Sequence, residues 1–277
     1  MDIFRLFDSF ILPSSTNEIH TSDNLSIKFF TADIIEKAAM SKDSLADQQA
    51  YHRALTFHSL KNQLEIIKGY YSINPTRAFK IDEKEPKKPP NECEYVDIWK
   101  LEEKQTDVNI AVEALFDVLT DESIEQVVFV TNDTDLERAL EKIKSLNKVK
   151  IGLVIPTTDN VRYPNEKLDI HADWTRKNIL IDELKLSQLP RVIQGGRKPV
   201  TKPIGWFGQP EILEEIMLTL LKVEANRTKC WRWLEKPLPS FDDLPPLAEP
   251  PIQLLDNEET AKIVLSYAKR YTQLFKS

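Results

Sequence analysis

Apolar positions recur along this chain with two periods, one helical and one strand-like. Residues 2–12 place Ile3, Leu6, Phe7, Phe10 and Ile11 at helical spacing, and Pro13 is expected to end that element. A polar stretch over 14–24 leads to Leu25-Ser-Ile-Lys-Phe-Phe-Thr31, a strand pattern. Residues 44–60 return to helical spacing, with Leu45, Gln48, Tyr51, Leu55 and His58 on one side. Strands are predicted over 64–73 and 95–100, separated by a Lys-, Glu- and Pro-rich loop at 80–90. A helix over 108–119 turns Ile110, Ala111, Ala114, Leu115 and Val118 to a core. A strand over 127–131, a helix over 136–146 and a strand over 149–155 follow, the last stopped by Pro156. Residues 168–174 and 179–189 close this region. Strands alternating with helices imply an α/β domain, a mostly parallel sheet covered on both faces in three α/β/α layers.

The pattern changes after Gly195-Gly196. Helices are predicted over 210–225, with Pro210 at the first turn, and over 257–275, joined by a proline-rich stretch at 238–251. The organisation expected is therefore an α/β domain over 1–194 and a helical C-terminal extension over 195–277.

Composition narrows the function classes. The net charge is -7 over 277 residues, and the acidic excess lies wholly before Gly195. A nucleic-acid enzyme with this balance needs a local basic patch or metal ions to offset its own acids. Cys93 and Cys230 alone support neither a disulfide framework nor a cysteine zinc site. No apolar run reaches the length of a membrane span, and residues 1–13 lack the features of a signal peptide, so a cytoplasmic setting and no membrane partner are expected.

The chemistry-bearing stretch is Val127-Val-Phe-Val-Thr-Asn-Asp-Thr-Asp-Leu136. Its strand runs straight into Asp133 and Asp135, where open α/β sheets bind ligands. Carboxylates there can gather a hard cation. The same residues also make an ordinary Asx turn and helix N-cap. Upstream, Asp107 begins a helix behind Glu102, Glu103 and Lys104, and Glu113 lies about 240° around that helix from Asp107, so the two share no tight face.

Two blocks together resemble the NYN domain, a branch of the PIN-like nuclease superfamily close to LabA-like proteins. The first is Lys100, Glu102, Glu103, Lys104, Asp107, Val108, Asn109 and Ala111; the second is Thr131, Asn132, Asp133, Thr134, Asp135 and Leu136. Weaker similarity extends over residues 1–194. The resemblance implies a Rossmann-like, PIN-like fold and a metal-dependent endoribonuclease that cuts RNA with Mg²⁺ or Mn²⁺. Asp107, Asp133 and Asp135 would be its metal-binding and catalytic residues, with Glu113 secondary. Thr131, Asn132, Lys104 and Asn109 would contact substrate.

The family's first strand, which ends in a further Asp, has no counterpart here. Residues 2–13 match the family's first helix, so that strand is expected roughly 20 to 40 residues upstream of Met1. Without it, a gap is expected between the strand near Ile27 and the strand near Val128. The alternative is an impaired NYN-fold protein that binds RNA or a protein partner. A phosphatase of the haloacid-dehalogenase type is a third reading of Asp133-Thr-Asp135, against which Glu137 stands where that motif wants Thr or Val. In the extension, Trp206, Phe207, Trp231 and Trp233 beside Arg227, Lys229, Arg232 and Lys236 read as a hydrophobic anchor or as a stacking surface for single-stranded bases. A homo-oligomer or protein contact through this extension is also expected.

Overall fold

The computed structural model describes residues 1–15, 24–59, 63–158, 162–238, 246–247 and 249–274. The chain folds as two compact units, Met1–Thr201 and Lys202–Ser277.

Unit 1 opens with α1 (Ile3–Leu6), a π-helical turn at Phe7–Ile11 and α2 (Leu12–Ser15). The element thus runs through Pro13 instead of ending there. A prolyl nitrogen cannot donate, and the turn ahead of it widens to the i→i+5 pattern that accommodates such a break. The Ser14 hydroxyl then donates to the carbonyls of Phe10 (2.6 Å) and Ile11 (3.1 Å).

Two three-stranded sheets stand where one parallel sheet is predicted. In the first, β1 (Ile27–Asp33) lies parallel to β2 (Leu64–Phe79), with α3 (Ser44–His58) between them in sequence. β2 then pairs antiparallel with β3 (Tyr95–Lys104). Both strands run longer than their apolar patterns predict. β1 leaves β2 at the Asp33–Tyr70 pair, and beyond it β2 and β3 continue as a two-stranded arm. Pro75 sits in that arm, where β2 has one flanking strand and a missing donor is tolerated.

In the second sheet β4 (Gln126–Val130), β5 (Lys150–Val154) and β6 (Trp174–Arg176) are all parallel. β5 is the buried strand, with Ile151, Leu153 and Val154 fully enclosed. Gly152 lets the Trp174 ring lie flat on it: a Cβ there would stand 2.2 Å from the indole. The indole N–H donates to Gln126 Oε1 at 2.8 Å, which ties β6 across to β4.

α4 (Thr106–Thr120) and α5 (Glu137–Leu146) cover this sheet. Val118, Phe129, Leu140, Ile143, Ile151 and Leu153 form their shared core. Each such fully buried side chain contributes roughly 1.5–3 kcal/mol. α5 stops at Asn147, whose left-handed φ of 50° ends the helix as Asn permits. On the other side Ile3, Leu6 and Ile11 pack with Ile27, Phe29 and Val128.

α6 (Glu166–Asp169) and α7 (Ile181–Leu186) flank β6. Beside them Arg176 and Glu183 form a nearly buried bidentate ion pair at 2.6 Å. The hairpin of β7 (Val192–Ile193) and β8 (Val200–Thr201) keeps residues 195–201 with unit 1, because Val200 and Ile193 pack on Ala54.

Unit 2 is helical: α8 (Pro210–Leu220), α9 (Arg227–Leu234) and α10 (Glu258–Leu274). α9 has no apolar stripe to announce it and starts on the Asn226 cap, whose side chain accepts from Lys229 N. Leu213, Met217, Cys230, Trp233 and Tyr267 fill the core, and Phe207 stacks on Trp231 at 5.6 Å. These aromatics therefore serve unit 2's own packing. Among the described residues, no helix is long and apolar enough to cross a membrane.

Candidate functional site

The loop after β4 is built by its own side chains. Thr131 N donates to Val154 O at 3.1 Å, carrying the ladder to the last residue before the turn. The Thr131 hydroxyl then accepts from Asp133 N (3.0 Å), and Asp133 Oδ1 accepts from Asp135 N (3.1 Å). These two bonds shape the 3₁₀ turn Thr134–Leu136, and Leu136 is buried behind it as the plug that fixes the loop to the core. The turn-and-cap reading of these residues is thus literally present. It consumes one oxygen of Asp133 and leaves the Asp135 carboxylate projecting.

Asp107 arrives from a different element. β3 ends at Lys104, and Gln105 takes a left-handed φ of 73° to turn the chain into α4. Thr106 donates to Glu103 Oε1 (2.5 Å), and Tyr71 donates to the other Glu103 oxygen (3.1 Å). Asp107 then lies in the first helical turn, where the helix dipole favours an anion. One oxygen each of Asp107, Asp133 and Asp135 lies within 4.8 Å of the others, and all three residues are exposed. Burial pushes the Asp107 carboxyl above its ordinary range, and the charges of Asp133, Asp135 and Glu103 push it the same way. Glu103 is the acid that local reasoning leaves out of the site. It reaches Asp107 because the β2–β3 arm returns the chain there, and its spacing from the helix start is the signal that could have flagged it.

The other predicted residues fall elsewhere. Glu113 accepts from Lys28 at 2.7 Å, as does Asp117, and this ion pair locks α4 to β1, away from the acid cluster. Asn132 spends both ends of its amide on the neighbouring loop: Nδ2 donates to Tyr163 O (3.1 Å), and Oδ1 accepts from Asn165 N (2.8 Å). Lys104 pairs with Glu102 at 3.0 Å. Asn109 follows Asp107 by two residues and so turns about 200° away from it on the helix.

Chemically, this end of the sheet is a polar, strongly negative mouth. It can take a proton, bind a cation or hold a hydroxyl, and it repels an anion.

No family model matches the chain, and no solved structure matches it. A curated relative does: 6-hydroxy-3-succinoylpyridine 3-monooxygenase HspA of Pseudomonas putida is 40% identical over 280 residues, spanning 96% of this chain and 86% of the relative. That finding overturns the NYN ribonuclease expectation and its impaired variant. The two acidic blocks are short, whereas the identity runs through nearly the whole chain, extension included. A monooxygenase moves electrons to dioxygen and leaves phosphodiesters alone, so the hydrolase reading and the Mg²⁺ or Mn²⁺ expected with it fall as well.

Oxygenation of this kind draws two electrons from a reductant, and dinucleotide cofactors bind open α/β sheets through a glycine-rich strand-to-helix turn against their pyrophosphate. The residues here do not fit that group. The turn after β4 is Thr-Asn-Asp-Thr-Asp, with three carboxylates at its mouth. The six glycines lie elsewhere: Gly69 and Gly152 within strands, Gly195 and Gly196 against Phe57, Gly205 and Gly208 in unit 2. Identity over almost its full length places the chain in the family of 6-hydroxy-3-succinoylpyridine 3-monooxygenase HspA.

Proposed function

We propose that this protein is a monooxygenase that places one oxygen atom of O₂ on a hydroxylated pyridine ring bearing an acidic acyl side chain. The observation that carries this is the 40% identity across 96% of the chain to a relative of that named activity. The reaction takes two electrons and two protons from an external reductant. One oxygen enters the ring and the other leaves as water; carbon 3 carries the acyl side chain, so the new carbon–oxygen bond there forms as the ring–acyl bond breaks, and a water takes the released acyl group off as a carboxylic acid.

The acid cluster suits the first requirement of such a substrate. A ring hydroxyl at position 6 lies para to carbon 3, and removing its proton pushes electron density onto that carbon, the one an electrophilic oxygen attacks. Asp107 is the base for this proton. Its raised proton affinity makes it a stronger acceptor than an ordinary carboxylate, and the charges of Asp133 and Asp135 sustain that affinity. The same charges repel the substrate's carboxylate, so the ring hydroxyl faces the cluster and the acid tail points away.

The reading takes unit 1 as three layers, with the helical turns of residues 3–15 and α3 on one side and α4 and α5 on the other; the two separate apolar clusters support it. It also takes the setting to be the reducing cytoplasm, which the free Cys93 and Cys230 support.

The test is turnover of 6-hydroxy-3-succinoylpyridine by the full chain with a reduced nicotinamide or flavin supplied, read as oxygen uptake. Asp107→Asn is expected to lower kcat/KM by about 100-fold or more, the range for loss of a general base. Absence of oxygen uptake by the unmodified chain overturns the activity. Unchanged turnover by Asp107→Asn overturns the role of the cluster alone.

A further inference from the structure

Two apolar surfaces of unit 1 face water, and both stand on one side of the first sheet. Lys28 of β1 reaches Glu113 and Asp117 of α4, and a Cβ on Gly69 of β2 would meet Thr106 at the start of α4. α4 therefore lies on the face that Lys28 shares with its partner Glu65 and with Gly69. Alternate residues of a strand share a face, so Ile73, Pro75 and Phe79 continue this one along the β2–β3 arm, with Leu101, Trp99 and Tyr95 opposite them. The rings of Phe79 and Tyr95 meet there, 4.5 Å between centroids. Ser72, Asn74, Thr76 and Lys100 stand on the reverse, more polar face. Trp99, Leu101, Tyr95 and Phe79 are all exposed. A two-stranded ribbon of this kind is at best marginally stable without a cover on its apolar face.

α4 carries the second surface. Val108, Val112, Phe116 and Leu119 are 54% to 63% exposed and lie within about 80° of one another around the helix. They point away from the sheet, because Ile110, Ala114 and Val118 face the core while Glu113 and Asp117 face Lys28. No charged side chain interrupts the stripe. A helix this apolar on the side opposite its core presents a contact surface. The two surfaces also match in relief. α4 raises one half of this side by a helix's thickness, and the exposed arm leaves the other half low. α4 is about 22 Å long and the arm about 30 Å. Turning a second copy about a two-fold axis sets each α4 on the other copy's arm, in the place a helix takes on a sheet.

We propose that these surfaces join two copies of this chain in a symmetric dimer, the β2–β3 arm of each lying on the α4 stripe of the other. The area fits that occupant. Each of the four α4 side chains and four arm side chains leaves roughly 100 Å² in water, so each copy offers about 800 Å², what a stable interface buries per partner. The α4 stripe alone supplies about half of that, which is why the arm is needed and a helix-to-helix contact does not suffice. Charge fits as well. The chain is acidic, and two copies repel at a distance, but the contact itself is apolar, and Lys28 neutralises Glu113 and Asp117 beside it. Arg77, on the apolar face of the arm, is matched by Asp97 of its own ribbon, so no uncompensated charge enters with it.

Sedimentation velocity on the full chain is expected to show a species of twice 32.0 kDa at about 10 μM. Val112→Lys and Trp99→Glu each put a charge into one of the two surfaces, at exposed positions that leave the core alone. Each is expected to weaken the dimer at least tenfold. Mixed in equal amounts, the two variants are expected to associate at least tenfold more tightly than either does alone. One contact of the mixed pair is then unaltered, and the other sets the new ammonium against the new carboxylate. A measurement that adds no charge is capture by the photoreactive p-benzoylphenylalanine in place of Trp99, expected to link to residues 106–120 of the other copy. A parent chain that stays monomeric at about 100 μM, a dimer that both variants leave intact, a mixture no tighter than its components, or capture confined to other residues overturns the proposal.

Discussion

Replacing Glu183 by Gln tests how unit 1 is held at its β6–α7 corner. Both Glu183 oxygens accept from Arg176 Nη2 at 2.6 Å, and one of them also accepts from Leu180 N at 2.9 Å. The two side chains are 13% and 11% exposed, so the pair is close to fully desolvated. Arg176 further donates to Asn178 O (3.0 Å), to Phe10 O (3.3 Å) and to the Ser14 hydroxyl, joining the N-terminal helical turns to the second sheet. Gln preserves the shape and one acceptor and removes the charge. The guanidinium then stays buried without a counter-ion, an arrangement that costs about 3–5 kcal/mol when one partner of a buried pair is lost. For a unit of this size each kcal/mol lowers the melting temperature by roughly 2–4 °C, so a fall of about 6–20 °C is expected. Urea titration followed by circular dichroism measures the free energy, and calorimetry the melting temperature. The double variant Arg176→Met with Glu183→Leu, which removes both charges, is expected to recover most of the loss. A loss under about 1 kcal/mol for Glu183→Gln would show that water reaches the pair, and would refute the reasoning from burial.

Asp107→Asn is expected to stabilise the fold. The folded Asp107 carboxyl holds its proton more tightly than the unfolded one, so it costs stability as pH rises past its ordinary value of 3.8; the variant should melt higher than the parent at pH 7 and like it at pH 3. Gly152→Ala forces a methyl against the Trp174 ring; a loss of about 1–3 kcal/mol is expected, with a shift in tryptophan emission as the bond to Gln126 breaks. Asn132→Ala releases the backbone at Tyr163 and Asn165, and faster amide exchange is expected there while β4 and β5 stay protected.

The elements that local patterning finds are those whose burial is set locally. β5 reads directly because a strand covered on both faces is apolar without interruption, and α5 because Leu136, Leu140 and Ile143 recur on one face. Among the described residues β1 and β4 share no ladder, so the single sheet that the alternating pattern implies is not formed by them. The direction of β3 is not legible. Its residues suit either orientation, and the return through residues 80–94 sets it antiparallel. α9 escapes notice because Arg227-Thr-Lys-Cys-Trp-Arg-Trp-Leu234 is mostly polar, and only Cys230, Trp233 and Leu234 are buried. The meeting of Asp107 with Asp133 and Asp135 follows from helix starts and strand ends, which sequence marks well. What those acids do is not written in their spacing. Carboxylates past a strand can hold a metal, take a proton or cap a turn, and short blocks of them led to a nuclease expectation that identity over 280 residues overturns.

The fate of molecular oxygen decides what this protein does. The full chain should be given 6-hydroxy-3-succinoylpyridine, a reduced nicotinamide or flavin, and ¹⁸O₂, and the product's mass recorded. One ¹⁸O atom per ring of product is the result predicted here. Product carrying oxygen from water alone, or no product in any reductant, would contradict it.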